Sequence, residues 1–152
     1  MRTLTLRNCT VGLPKVYKGF SYLTTLILQG VYIQDKQLTN LISKCGVLQN
    51  LTLRYCRDLE VIKIKESNML RNLTVDNCLV SFGSVDIDAP NLLSHDLIGG
   101  VFYYGPVLNV PRLLNCSITQ DTEVMDTVSK KKNYGRVLHH LVNVETLSLQ
   151  IL

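Results

Sequence analysis

One leucine spacing recurs along this chain, and it constrains the possible fold more than any other feature. Its clearest copy, Leu48 to Cys56, reads Leu-x-x-Leu-x-Leu-x-x-Cys. With the second apolar position of each copy as a marker, seven copies fall in one phase. The markers are Leu4, Leu26, Leu51, Leu73, His95, Cys116 and Leu147. Five of the six intervals between markers lie between 21 and 25 residues, so the chain is built from one repeated unit.

This spacing is the consensus of the leucine-rich repeat, in which each unit contributes one short strand and cannot bury its apolar edge alone. The sequence therefore predicts an α/β leucine-rich repeat solenoid, shaped as a horseshoe with a concave parallel β-sheet. Short helices or irregular segments are expected on its convex side. Eight strand residues are predicted to point inward: Leu4, Leu6, Leu26, Leu28, Leu51, Leu53, Leu73 and Val75. Val11, Ile33 and Val80 are predicted to close the core on the convex side. We expect His95 to have a core or edge role.

The connections between strands carry further local signals. Leu38, Leu41, Ile42 and Cys45 have the spacing of one helical face. Asp35 stands at the expected N-cap, and Gly46 at the expected left-handed C-terminal residue. Extended convex segments are predicted at 61–64 and 85–88, a second helix at 134–141, and the last strand at 144–149.

Composition narrows the possible functions. Hydrophobic residues make up 46% of the 152 residues, which suffices for one domain of about seven repeats. The net charge is +4, and the basic residues are scattered apart from Lys130–Lys132 with Arg136, so we expect no nucleic-acid partner. No apolar run is long enough for a membrane span. The five cysteines lack paired spacing, which predicts free thiols and a cytoplasmic or nuclear location. No spacing indicates a metal site, a catalytic nucleophile or a cofactor, and we expect a protein that is not an enzyme.

The strand positions that alternate with the leucines should face outward on the concave sheet and form the candidate binding surface. They are polar and mixed in charge. We predict a target protein on this face, contacted by Arg7, Gln29, Asn50, Thr52, Arg54, Asn72, Thr74, Asp76 and Asp96. Arginine and aspartate are the favoured candidates because their charged groups form directional hydrogen bonds.

The central stretch resembles the leucine-rich repeat region of plant F-box proteins of the F-box/LRR, FBD-like type. Their recurring signature is D-x-x-L-x-x-L-x-S-x-C-P-x-L-E-x-L-x-L-x-x-C-x-x-L. The matching residues are Asp35, Leu38, Leu41, Ser43, Cys45, Leu48, Leu51, Leu53, Cys56 and Leu59. Gly46 replaces the usual proline, and Gln49 the usual glutamate. The segments 89–92 (APNL) and 138–149 (LHHLVNVETLSL) resemble two further elements of the family, so the resemblance covers essentially the whole chain.

The resemblance implies a substrate-recognition region of an SCF-type ubiquitin ligase. In that family an F-box binds the Skp-type adaptor, and these 152 residues contain no F-box. We therefore expect the adaptor to bind only through an F-box outside this chain, which would be a fragment of a longer protein. Two alternatives remain open. The chain would otherwise be a repeat fragment of a plant nucleotide-binding immune receptor, or a non-functional truncated gene product.

Overall fold

Seven parallel strands form the main sheet of the protein. The computed structural model describes residues 1–12, 20–78, 85–99, 107–120 and 141–151. The strands of this sheet are β1 (Thr3–Arg7), β2 (Thr25–Gln29), β3 (Asn50–Arg54), β5 (Asn72–Asp76), β7 (Ser94–Ile98), β9 (Asn115–Gln120) and β10 (Thr146–Ile151). Their spatial order is β1-β2-β3-β5-β7-β9-β10. Strands that follow one another in the ladder are therefore neighbours in the sheet, which is the arrangement of a leucine-rich repeat solenoid.

The register of this sheet follows the repeat phase. Leu4 pairs with Leu26, Leu26 with Leu51, and Leu51 with Leu73. The row continues through the degenerate markers, His95 and Cys116, to Leu147. The seven predicted strands and their common phase are thus confirmed. The last strand begins two residues later than predicted, at Thr146 instead of Val144.

A smaller sheet lies behind the main one. Its strands are β4 (Ile62–Ile64), β6 (Val85–Asp88) and β8 (Val107–Asn109), which are parallel and lie in that order. Ile62, Ile64, Val85 and Ile87 are almost completely buried, while Lys63 between the first two is exposed. The predicted extended segments on the convex side are therefore confirmed.

The core lies between these two sheets. Six of the eight residues predicted to point inward are buried: Leu26, Leu28, Leu51, Leu53, Leu73 and Val75. Leu4 and Leu6 are only half-buried because β1 is an edge strand with a neighbour on one side. Val11 and Ile33 are buried as predicted, whereas Val80 lies outside the described residues.

One helix, α1 (Asp35–Ser43), connects β2 to β3 among the described residues, and both of its predicted ends need correction. Its N-cap is Gln34, which has an extended backbone, and the Gln37 side chain accepts a hydrogen bond from the Gln34 N–H at 2.9 Å. Asp35 is the first helical residue. Its carboxylate instead accepts hydrogen bonds from the N–H groups of Glu60 (2.9 Å) and Val61 (3.1 Å), one repeat further along. A tertiary contact has therefore replaced the predicted cap.

Gly46 does not terminate α1 as a left-handed residue. Among the described residues, only Gly30 and Gly99 are glycines with positive φ. The helix ends instead with Lys44 in a right-handed conformation, and the Cys45 N–H donates to the Ile42 carbonyl at 2.9 Å. This tighter last turn satisfies a terminal carbonyl without a left-handed residue.

The Asp35 contact leads to a stability prediction. Replacing Asp35 with alanine should lower the free energy of unfolding by about 1–2 kcal/mol, because two backbone N–H groups lose a charged acceptor. Asp35→Asn retains one acceptor oxygen, so its free energy of unfolding should lie between that of the unchanged chain and that of Asp35→Ala. Urea unfolding would measure the change, with the exposed neighbour Lys36→Ala as control. An equal loss in the control would show that the hydrogen bonds from Glu60 and Val61 to Asp35 contribute nothing specific to stability.

Two further predictions, besides that for Val80, fall on parts of the chain that the structure does not describe. These are the helix at 134–141, of which only Leu141 is described, and the basic cluster of Lys130–Lys132 with Arg136. None of the described helices is long and apolar enough to cross a membrane.

Candidate functional site

The candidate site is the concave face of the seven-stranded sheet, where side chains alternate with the buried leucines. In-register pairing arranges these side chains in three rows that run across the strands. The nine predicted contact residues all lie on this face. The first row contains Asn50 and Asn72; the second Thr52, Thr74 and Asp96; the third Arg7, Gln29, Arg54 and Asp76.

Amide side chains link the strands along the first row. The Asn50 side chain donates to the Thr25 hydroxyl at 3.2 Å, and the Asn72 side chain donates to the Asn50 side-chain oxygen at 2.7 Å. Hydrogen bonds between neighbouring strands restrict the rotamers of these side chains. The side chains of Thr25, Asn50 and Asn72 are therefore held in place by their neighbours in the row.

A charged pair lies at the C-terminal end of β3 and β5. The Arg54 Nε is 3.6 Å from an oxygen of Asp76, and the other Asp76 oxygen accepts a hydrogen bond from the Asn77 side chain at 2.8 Å. The Arg54 side chain is half exposed, so the pair contributes little to stability. Arg7 lies two strands away on β1, and Asp96 lies on β7 beside Thr74. The four favoured charged residues thus share one face, and only Arg54 and Asp76 are in contact.

A column of left-handed residues follows the strands, and the sequence analysis did not predict it. Asn8, Gly30, Tyr55, Asn77 and Gly99 all have positive φ and occupy the same position after β1, β2, β3, β5 and β7. Each donates its N–H to a backbone carbonyl on the next strand. The acceptor is the residue that pairs with the last residue of the donor's own strand. This turn lets the backbone remain paired while it leaves the sheet. Asparagine and glycine tolerate this conformation, so four of the five residues carried a readable signal.

Side chains beyond this column form a second contact missed by the sequence analysis. Backbone bridges join Tyr32 to Thr10 and to Arg57. The Arg57 guanidinium donates to the Tyr32 hydroxyl at 2.7 Å and lies 5.3 Å from the centre of the Tyr32 ring. Tyr55 is also exposed nearby, at 53% of its surface. The turn positions therefore extend the polar face with aromatic and cationic groups.

His95 is the degenerate marker of the fifth strand, and it is 1% exposed. Its Nδ1 lies 3.3 Å from the Leu73 carbonyl, which only accepts hydrogen bonds, so Nδ1 carries the proton. Its Nε2 has no partner among the described residues. Burial lowers the pKa of His95 to about 4. His95 is thus a neutral core residue, in agreement with the core role expected from its marker position.

The five cysteines have free thiols, and four of them are buried. Burial raises the pKa of Cys45 and of Cys116 to about 11. A hydrogen bond between the thiols of Cys56 and Cys78 lowers the pKa of Cys56 and raises that of Cys78. Cys56 is completely buried, so a substrate has no access to its thiol. Within the described ranges, no three His, Cys, Asp or Glu side chains are placed to hold a metal ion.

Comparisons with known proteins agree with this fold. The chain matches, over residues 1–150, the family described as At1g61320/AtMIF1, LRR domain. It is also similar to the F-box/FBD/LRR-repeat protein At1g13570 of Arabidopsis thaliana, with 36% identity over 67 residues. That match covers 44% of this chain and 16% of the relative. No solved structure matches the chain. The resemblance to the repeat region of plant F-box/LRR proteins is therefore confirmed, and the chain belongs to the At1g61320/AtMIF1 family of leucine-rich repeat domains.

Proposed function

We propose that this chain is the substrate-recognition region of an F-box protein in an SCF-type ubiquitin ligase, located in the cytoplasm or nucleus. Its concave face would bind the target protein. It would have no catalytic role of its own, and ubiquitin transfer would occur elsewhere in the ligase. The Arabidopsis relative is named as an F-box protein, which supports this assignment.

The extended, mainly polar face is the observation that carries the proposal. Seven strands present three in-register rows of side chains, and asparagine hydrogen bonds hold three neighbouring side chains of one row in place. Repeat proteins use such extended concave surfaces to bind other proteins. Leucines fill the opposite side of the sheet, so the outward residues are free to vary with the target without loss of the core.

Removal of one ion pair tests the concave face, and removal of a second ion pair elsewhere serves as the matched control. Arg54→Ala/Asp76→Ala removes the pair at the end of β3 and β5. Lys65→Ala/Asp86→Ala removes a similarly spaced pair, 3.7 Å apart, on the smaller sheet. Proximity labelling in plant cells, followed by quantitative mass spectrometry, would compare both variants with the unchanged chain. We expect at least ~10-fold less labelling of the target in the first variant alone, which corresponds to about 1.4 kcal/mol of binding free energy.

Equal target labelling by both variants would show that the concave face does not bind the target. Since both double substitutions remove one positive and one negative charge, neither alters the net charge. A difference between them therefore reports the position of the pair and not its charge. Thermal unfolding of both variants would verify that the fold is retained.

The ligase assignment requires a separate experiment. The native transcript would be sequenced upstream of the Met1 codon in the same reading frame. The full-length protein would then be purified from plant cells. We expect an F-box in frame and a Skp-type adaptor that co-purifies in proportion to the chain. A full product without an F-box, or one that purifies without the adaptor, would contradict the ligase assignment and leave the concave-face prediction in place.

A further inference from the structure

A groove of about 440 Å³ lies where β2 and β3 end, beside the concave face. This volume is within the ~300–1,000 Å³ range typical of binding pockets. Six residues line the groove: Asn8, Gln29, Gly30, Tyr32, Tyr55 and Arg57. All six come from the strand ends, and the segments that directly follow them, of three neighbouring repeats, so the groove exists only when the repeats stack. Apart from Gln29, none was predicted as a contact residue.

The left-handed turns create the floor and one wall of the groove. Gly30 has φ +62° and no side chain, and the Asn8 side-chain oxygen occupies the place where a Cβ of Gly30 would stand. Tyr55, at the same position of the next repeat, has φ 51°. A left-handed conformation costs a residue such as tyrosine of the order of 1–2 kcal/mol. Strain of this kind is concentrated at functional sites, which makes an exposed, left-handed tyrosine a functional candidate.

The groove combines apolar rings with a cation that has unused hydrogen-bond donors. Tyr32 and Tyr55 are 41% and 53% exposed. Arg57 uses one guanidinium nitrogen to bond the Tyr32 hydroxyl, which fixes the guanidinium over the ring. A guanidinium has five N–H donors, so others remain available for a carboxylate. Within the part of the chain that the structure describes, Arg57 forms no ion pair.

The charges around the groove differ from those on the rest of the face. Arg7 and Arg54 flank Gln29 in the third row, and Arg57 lies just beyond them. The acidic residues of the face, Asp76 and Asp96, lie further along the sheet, on β5 and β7. Asp76 is paired with Arg54, whereas Arg7 and Arg57 form no ion pair among the described residues, so the groove end is net basic. The two unpaired cations are complementary to a partner that brings negative charge to β1–β3.

We propose that this groove binds an acidic peptide segment of the partner, with an apolar side chain between Tyr32 and Tyr55 and a carboxylate on Arg57. The inference rests on the proposed function, and it names the chemistry of the partner at one end of the concave face. A nucleic acid would require a longer run of cations along its phosphates. The volume of the groove suits one or two side chains, and its few cations suit one or two carboxylates.

Defined peptides test the charge preference. Fluorescence polarisation would compare labelled Ser-Glu-Phe-Glu-Ser with Ser-Lys-Phe-Lys-Ser and Ser-Glu-Ala-Glu-Ser on the purified chain. We expect the glutamate–phenylalanine peptide to bind at least ~10-fold more tightly than either of the others, because only it satisfies both the guanidinium and the rings. Equal binding of the three peptides would overturn the proposal. So would tighter binding of a labelled thymidine oligonucleotide than of the acidic peptide.

Two variants place the binding in the groove. Tyr55→Asn removes the ring and retains a residue that tolerates the left-handed backbone, so its melting temperature should be equal or higher. Arg57→Gln removes the charge. Each should weaken binding of the glutamate–phenylalanine peptide about 10-fold. The controls Tyr22→Ala and Arg71→Gln remove an exposed tyrosine and an exposed arginine elsewhere, and they should leave the affinity unchanged.

The outcomes separate this inference from the proposed function. Unchanged peptide affinity in Tyr55→Asn and Arg57→Gln would overturn the groove proposal, even if Arg54→Ala/Asp76→Ala abolishes target labelling in cells. Weaker peptide binding in both groove variants would support the groove. The groove proposal would be supported even if Arg54→Ala/Asp76→Ala has no effect on target labelling. In that case the concave-face proposal alone fails.

Discussion

Replacing Leu53 with alanine is expected to lower the free energy of unfolding by about 3–5 kcal/mol. Leu53 is 0% exposed, and it lies on β3 between Leu28 and Val75 of the neighbouring strands. The truncation leaves a cavity that those neighbours cannot fill, because in-register pairing fixes both strands. Typical domains are stable by only ~5–15 kcal/mol, so this change removes a large share of the total. Urea unfolding followed by circular dichroism would measure it.

The matched control is Leu6→Ala, at the same repeat position on the edge strand β1. Leu6 is half-buried and has a neighbouring strand on one side only, so we expect a loss of about 1–2 kcal/mol. The ratio of the two losses reports how stacking between repeats contributes to stability. If Leu6→Ala is as costly as Leu53→Ala, stability is not distributed along the array as nearest-neighbour stacking requires.

The second large effect is loss of stability in acid, caused by His95. Its pKa is about 4 in the folded chain and 6.5 when exposed. The unfolded chain therefore binds a proton more readily than the folded chain between these pH values. The stability that His95 contributes is complete above pH 6.5 and is lost as the pH falls towards 4. From this difference in pKa, the chain should be about 2 kcal/mol less stable at pH 5 than at pH 7 from His95 alone.

His95→Leu isolates this contribution. Leucine restores the consensus of the marker row and has no Nε2 to protonate, although the hydrogen bond from Nδ1 to the Leu73 carbonyl is lost. At pH 7 we expect the variant to lie within about 1 kcal/mol of the unchanged chain. At pH 5 it should be more stable than the unchanged chain by about 2 kcal/mol. Parallel stability curves for the two chains between pH 7 and pH 5 would show that His95 does not remain neutral in the folded core.

The sheet could be predicted from the sequence because its signal is repeated. Leu51 and Leu73 alone would be weak evidence, whereas seven markers in one phase predict seven strands. His95 and Cys116 were placed correctly by phase, although neither is leucine. The ends of the helix were not predictable in the same way. Asp35 and Gly46 are residue types typical of helix caps. The Asp35 carboxylate instead accepts hydrogen bonds from the backbone N–H groups of Glu60 and Val61.

The concave rows followed from the same period, since every second strand residue faces outward once the leucines face inward. The groove did not follow from it. Tyr55 and Arg57 lie beyond the strand, where the two-residue alternation no longer applies and the backbone turns through a left-handed residue. Asn8 and Gly30 were a readable hint, because asparagine and glycine favour that turn. Tyr55 at the same position gave no such hint.

The sequence by itself determined the solenoid, its register and the outward rows, because one apolar period specifies all three. The tertiary structure alone decided which side chains from different repeats touch. Arg57 lies over Tyr32, Asp35 reaches the next repeat, and Asn8 covers Gly30 only because stacking brings those turns together. These contacts join residues about 22–26 positions apart, so no local pattern encodes them. They arise from the geometry of stacked repeats.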